Sequence, residues 1–144
     1  MTLTPGHRIA IDYGEKWVGI AISDESGLIA SPVGTFDIAE IRHQLIAISK
    51  EKKVAVLYLG LPIHLSGNEG KSAQNARDFA QTIEKLNIAP VRLIDERLST
   101  KSASQGKSLV SKFGIDAVAA TEILNFALEG ERIQKRFFGK GLDE

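Results

Sequence analysis

The chain has 144 residues, 43% of them apolar and 25% charged, which fits about one globular domain able to bury a core. Its 18 basic and 18 acidic residues cancel, so net charge gives no hint of a nucleic-acid partner, and any basic surface must come from local segregation. There is no cysteine, which excludes disulfides, thiolate catalysis and cysteine-type zinc sites and suits a cytoplasmic protein.

The N-terminus MTLTPGHR lacks an apolar signal core. The longest apolar runs are a few residues, far below the ~20 needed to span a bilayer. Residues 8–12 (RIAID) and 17–23 (WVGIAIS) read as two strands joined by a short turn, with Ala10 and Asp12 on one face of the first. Residues 28–36 read as a third strand, and Pro32 points to an edge or a bulge. Asp37 with Glu40 three residues on reads as a capping box opening a helix. Ile38, Ile41, Leu45 and Ile48 form its apolar stripe. The run VAVLYLG, 54–60, is apolar on both faces, as a central parallel strand would be.

A loop then leads to a helix over about 71–87, with Ala76, Phe79, Ala80 and Ile83 on its apolar face. Asn87 and Pro90 stop that helix, and VRLI, 91–94, is a further strand. A polar, Gly-broken stretch comes next, then a last helix from near Ile115 to about Glu129. The order is βββαβαβα, an α/β fold in which an antiparallel meander is extended by parallel strands. The ribonuclease H-like fold has this order. We expect one such domain over 1–144, with 136–144 as a flexible tail. The Phe137–Phe138 pair in that region could anchor a partner or the chain's own core.

Carboxylates stand in three unusual places. Asp12 ends the first strand, Asp95 and Glu96 end VRLI, and Asp116 opens the last helix. Strand C-termini of a parallel α/β sheet share one edge, where sites form. Ala119, Ala120 and Ile123 share a helix face with Asp116 and turn it toward the core. Each has a plainer reading: Asp12 as a turn former, Glu96 as an ion-pair partner of Arg97 or Arg92, and Asp116 as a first-turn residue favouring the helix dipole. Converging carboxylates repel and desolvate badly unless a cation compensates them. Mg²⁺ or Mn²⁺ fits such a set, and two ions about 3.5–4 Å apart serve phosphodiester hydrolysis. Asp12, Glu96 and Asp116 are therefore the candidate catalytic and metal-holding residues.

From Arg97 through Ile115 there is no acidic residue. Arg97, Lys101, Lys107 and Lys112 lie there among serines, a segment suited either to a phosphate backbone or to a solvated loop. The tail cluster of Arg132, Lys135 and Arg136 is offset by Glu131, Asp143 and Glu144. GNEGKS, 67–72, fails as a phosphate loop because Leu65 stands where its first Gly belongs, although Gly67, Gly70 and Lys71 at a helix start could hold one phosphate. QGKS, 105–108, fails likewise with Lys101. His7, His43 and His64 show no ligand spacing, and Ser66 has no evident base. Lys71, Arg77, Arg97 and Lys101 are the candidate phosphate contacts.

DYGEKWVG is similar to the first phosphate loop of actin- and hexokinase-type ATPases, but those need two such domains and a second loop. Four segments together resemble the YqgF/RuvX family: DYGEKWVGIAISD (12–24), LGLPIHLSGNEGKSAQNARDFA (59–80), DERLST (95–100) and DAVAATEIL (116–124). They occur in family order across residues 8 to about 129. The family is described as Holliday junction resolvase-like and as candidate pre-16S rRNA nucleases. The resemblance implies a ribonuclease H-like fold related to the RuvC resolvases. It also implies a cytoplasmic, metal-dependent nuclease acting on precursor ribosomal RNA, or on branched DNA in the older view. Its acidic positions carry over onto Asp12, Glu96 and Asp116. Its loop glycines and proline match Gly60, Pro62 and Gly67.

This chain departs from the pattern at Trp17, where Arg is usual, and at His64 and Ser66, where Asn and Asp are common. The stretch between DERLST and Asp116 also looks shorter than usual. These differences touch substrate choice rather than the acidic set. Trp17 could stack on a base or pack against the sheet. A nucleic-acid-binding module without catalysis is the rival reading. A homodimer would suit a two-fold junction, but no segment identifies its interface.

Overall fold

The computed structural model describes residues 3–98 and 112–144. Strands β1 (His7–Asp12), β2 (Trp17–Ser23) and β3 (Ala30–Asp37) form the expected meander. After helix α1 (Ile41–Glu51) comes β4 (Val54–Leu61), then α2 (Lys71–Glu84) and β5 (Val91–Asp95). A 3₁₀ turn (Glu96–Leu98) closes β5, and helix α3 (Ile115–Gln134) and the short β6 (Lys140–Gly141) finish the chain. The six strands lie in the order β3-β2-β1-β4-β5-β6. β1, β4 and β5 are mutually parallel, so Asp12, Leu61 and Asp95 end on one edge.

Strand alternation assigns two cores to the two faces. Ile9, Ile11, Val18, Ile20, Leu57 and Leu59 pack under α1 and α2, through Ile41, Leu45, Ala76 and Ile83. On the other face Ala10, Ala21, Val56 and Tyr58 lie beneath α3, through Ala120, Leu124 and Leu128. The small Ala10 and Ala21 let α3 approach closely, which is why one long helix covers the face that two shorter ones cover opposite.

Pro32 behaves as its chemistry demands. β3 is an edge strand, and its register slips between Ile20 and Ala21, where Pro32 stands opposite Ala21. Asp37 is not a helix cap. It ends β3, its Oδ1 accepts the Ala39 N–H at 2.8 Å, and α1 starts only at Ile41. The local Asx bond outcompeted the helix start. α2 stops at Glu84, with Asn87 left-handed at φ 57°. α3 runs to Gln134, beyond Glu129, because its buried stripe continues through Ala127 and Leu128 to Glu131.

Glu131 reads in the sequence as an offset for surface cations, yet it is only 3% exposed. Its Oε1 accepts from Arg8 Nε at 3.0 Å and its Oε2 from the Tyr58 hydroxyl at 2.5 Å. Burial first, and then the Glu131 carboxylate, push the Tyr58 hydroxyl pKa up. Arg8 Nη1 also donates to the carbonyls of Gly6 and Glu25, at 2.7 and 2.9 Å. The Phe138 N–H donates to the Tyr58 oxygen at 3.0 Å.

Residues 136–144 are thereby tied down. The Arg8 guanidinium lies 5.5 Å over the Phe137 ring, and Phe138 meets Phe126 edge-on at 5.2 Å. Arg92 donates to the carbonyls of Phe138 and Gly139, and β6 pairs with β5. The two phenylalanines thus anchor the chain to its own core. No helix among the described residues is long and apolar enough to cross a membrane.

Between β2 and β3, Asp24 organises the turn. Its Oδ1 accepts the N–H groups of Leu28 and Ile29, both at 2.8 Å, and the Ser26 hydroxyl bonds its other oxygen. The Ile29 N–H, then Ser26, hold its pKa down at about 2. A depressed carboxyl stabilises above its unfolded value, about 3.9, and the gain is lost as pH falls through the folded one. Melting of wild type from pH 5 to 2 should therefore fall more steeply than that of Asp24→Ala below about pH 4. Parallel curves would show that the turn does not depend on the ionised group.

Candidate active site

Asp12 is the last residue of β1 and stands opposite Gly19 of β2. Paired residues point to the same face, here the α3 face that carries Ala10 and Ala21. Gly19 is where α3 lands. A Cβ there would overlap the Asp116 carbonyl and come within 2.5 Å of the Ala117 nitrogen. Glycine at this strand position thus seats the first turn of α3 beside Asp12. Thr35, opposite Gly19 on β3, completes the seat. Its hydroxyl donates to the Phe113 carbonyl at 2.9 Å and accepts the Ala117 N–H at 3.2 Å. That is a helix cap lent by a neighbouring strand, and the helix's own N-cap, Gly114, supplies no side-chain bond.

Asp116 is thus not needed for capping. It is half-buried, and desolvation raises its carboxyl above the usual range. A desolvated carboxylate gains most from a cation.

Glu96 arrives from β5 through the 3₁₀ turn. Its Oε1 would lie 2.5 Å from a Cβ placed on Gly60 of β4, with Ile123 Cδ1 at 2.7 Å. Gly60 follows Leu59, which pairs with Ile11 of β1, so Glu96 comes over the position next to Asp12, on the same face. The neighbouring Asp95 goes the other way. Arg97 Nη2 and Nε bond it at 2.6 and 3.1 Å, and Arg97 holds its carboxyl below the usual range. The alternation of the strand end separates the pair: Asp95 is the ion-pair partner, and Glu96 joins the carboxylate edge.

Asp12, Glu96 and Asp116 therefore share one sheet edge and one face. Asp12 and Glu96 each hold a further interaction. Among the described residues, no three His, Cys, Asp or Glu side chains are grouped closely enough to ligate a metal, in line with like charges standing apart. The donor set is carboxylate oxygen only, and Gly19 and Gly60 are where the α3 backbone and the Glu96 carboxylate press closest onto the sheet. Such a set fits a hard divalent cation.

The candidate phosphate contacts scatter more widely. Lys71 begins α2 and is exposed. Arg77 makes a two-point ion pair with Glu69, at 2.6 and 2.8 Å. Arg97 is bound to Asp95 and reaches the His64 carbonyl at 3.4 Å. Arg77 and Arg97 line a cleft of about 480 Å³ with Arg136 and Lys140, beside Leu61 and Leu93 on the face of α2. Lys101 and Lys107 lie outside the described residues. His64 packs against Gly70, in a loop closed by its own N–H bonding the Asn68 carbonyl at 2.9 Å.

Gly19 and Thr35 escaped the sequence reading. A glycine inside an apolar strand signals a close approach but does not say what approaches. The Gly60 contact makes its own prediction. Gly60→Ala presses on two flexible side-chain ends, so the fold should persist at a cost of about 1–3 kcal/mol. Displacing Glu96 should still lower cleavage about tenfold or more, the effect of some 1.4 kcal/mol at the transition state. Melting and cleavage measured on one preparation would separate the two effects. Full activity would remove Glu96 from the site.

The family model described as "RuvX: Holliday junction resolvase" matches residues 6–130. Over 153 aligned residues the chain is 37% identical to a protein of Streptomyces avermitilis named "Putative pre-16S rRNA nuclease", covering 99% of this chain and 98% of that one. A protein of the same name from Clavibacter michiganensis subsp. michiganensis is 43% identical, with 88% and 85% covered. Among solved structures, T. thermophilus RuvC in complex with Holliday junction substrate superposes with a TM-score of 0.60 at 10% identity, covering 88% of this chain and 95% of that one. That likeness shows a common fold, ribonuclease H-like as the element order implied. A meander extended by parallel strands, carboxylates brought to one edge and a match across most of the chain agree, and the protein belongs to the RuvX family.

Proposed function

We propose that this chain is a cytoplasmic, metal-dependent endonuclease that hydrolyses phosphodiester bonds in structured RNA, with the 5′ end of pre-16S rRNA as its substrate. One observation carries the reading. Asp12, Asp116 and Glu96 come from three separate elements to the same sheet edge and face, where Gly19 lets the first turn of α3 in close and Gly60 lets Glu96 in close, and this supports the reading. The relatives' names point to the RNA.

Asp12, Glu96 and Asp116 would hold Mg²⁺ or Mn²⁺, two ions by the chemistry of the donor set. When bound, the metal lowers the pKa of water and neutralises charge at the phosphate. The protein's part is to hold the carboxylates rigidly. Asp12 is fixed by the β1–β2 ladder, Asp116 by the seat of Gly19 and Thr35, and Glu96 by Gly60 and Ile123. Lys71, Arg77, Arg97 and Lys101 are the proposed phosphate contacts. For Arg77 and Arg97, that means exchanging a carboxylate partner for a phosphate, to which a guanidinium fork is equally suited.

The test incubates wild type with a precursor ribosomal RNA fragment and, separately, a four-way DNA junction, with Mn²⁺ or with EDTA. Metal-dependent cutting of the RNA is expected. Cutting of the junction alone would overturn the RNA reading in favour of a resolvase, which would then work as a homodimer on two strands. Binding without cutting of either would make the chain a non-catalytic module.

A further inference from the structure

The geometry points to Trp17 as a stacking platform for an unpaired base beside the scissile phosphate, so that the substrate is RNA with a single-stranded nucleotide at the cleavage position. The inference rests on the nuclease reading and narrows its substrate.

Trp17 is the first residue of β2, two before Gly19. By strand alternation it faces the same side as Gly19, and so the same side as Asp12. Diagonal neighbours across an antiparallel pair stand about 7–8 Å apart, a span that the base of an adjoining nucleotide can bridge. The indole is only half covered. Trp17 is 47% exposed, whereas Val18 beside it is fully buried.

Two further features suit a nucleotide. The Lys16 ammonium lies over the indole ring, 5.5 Å from its centre, a cation that a phosphate can draw off the ring face as a base takes its place. Ile115, 69% exposed, immediately precedes Asp116, so a second exposed apolar side chain adjoins the carboxylate edge. A base inside a duplex already has both faces stacked. Only a base at an end, bulge or loop offers a free face to an aromatic ring.

Trp17 is the single tryptophan of the chain, so its fluorescence reports this site alone. The experiment titrates the full-length protein, in EDTA to prevent cleavage, with single-stranded oligoadenylate and with an oligoadenylate–oligouridylate duplex of equal length. Binding is followed independently by anisotropy of dye-labelled RNA. Saturable quenching by the single strand is expected, and only weak quenching by the duplex, whose end bases alone offer a free face. Trp17→Ala should bind the single strand about tenfold more weakly, one stacking contact's worth, and the duplex as wild type does. Trp17→Phe should retain most of the affinity. Saturated single-strand binding with unchanged fluorescence, or an unaltered affinity in Trp17→Ala, would overturn the inference while leaving the nuclease reading intact. Absence of any RNA binding by wild type, with Mn²⁺ as well as in EDTA, would overturn both.

Discussion

Asp12→Asn should abolish metal-dependent cleavage while leaving the fold in place. Metal assistance is worth several kcal/mol of transition-state stabilisation, so a loss of at least about 100-fold is expected. The substitution is nearly isosteric. The backbone of residue 12 stays in its ladder opposite Gly19, and the side chain lies at the strand end rather than in either core. Melting should therefore shift little.

A second readout isolates the metal. A ligand that binds only the native state raises stability with its concentration. Mn²⁺ should thus raise the melting temperature of wild type but not of Asp12→Asn. Activity equal to wild type would remove Asp12 from the chemistry, and an unchanged metal-induced shift would remove it from the ligand set.

Glu131→Ala should be strongly destabilising. Arg8 and Glu131 are each 3% exposed, and their 3.0 Å ion pair crosses from β1 to α3. Removing the carboxylate leaves the Arg8 guanidinium charged and buried, with only the Gly6 and Glu25 carbonyls and the Phe137 ring as partners. The Tyr58 hydroxyl loses its acceptor and keeps only the Phe138 N–H. Breaking a buried pair on one side costs about 3–5 kcal/mol, a large part of the 5–15 kcal/mol typical of a domain. The melting temperature should fall by about 10 °C or more.

The network sits at the start of β1, four residues from Asp12, or about 13 Å along the strand. Cleavage per folded molecule well below the melting point should therefore persist. Glu131→Gln, which can still accept from Tyr58, should fall between. A Glu131→Ala protein melting within about 2 °C of wild type would show that the pair contributes specificity rather than stability.

The sequence by itself determined the features that local spacing controls. Period-2 and period-3.6 patterns gave the meander, the buried β4 and the three helices. Pro32 marked the bulged edge, because a residue without an N–H has few places in a sheet. The acidic residues at strand ends and at a helix start pointed to Asp12, Glu96 and Asp116, since a carboxylate beside an apolar run is costly without a reason.

Only the tertiary structure decided which groups meet. Asp37 looked like a cap until β3 claimed it. Glu131 looked like surface charge until α3 extended over Arg8 and Tyr58. Asp95 and Glu96 are neighbours in the sequence, and the strand end sent one to Arg97 and the other to the face of α3. Gly19, Gly60 and Thr35 act on partners up to 98 positions away, and no local window contains both members of such a contact. Strand and helix periodicity is set by neighbours along the chain, whereas the site is set by the register of the sheet and by the place where α3 lands on it.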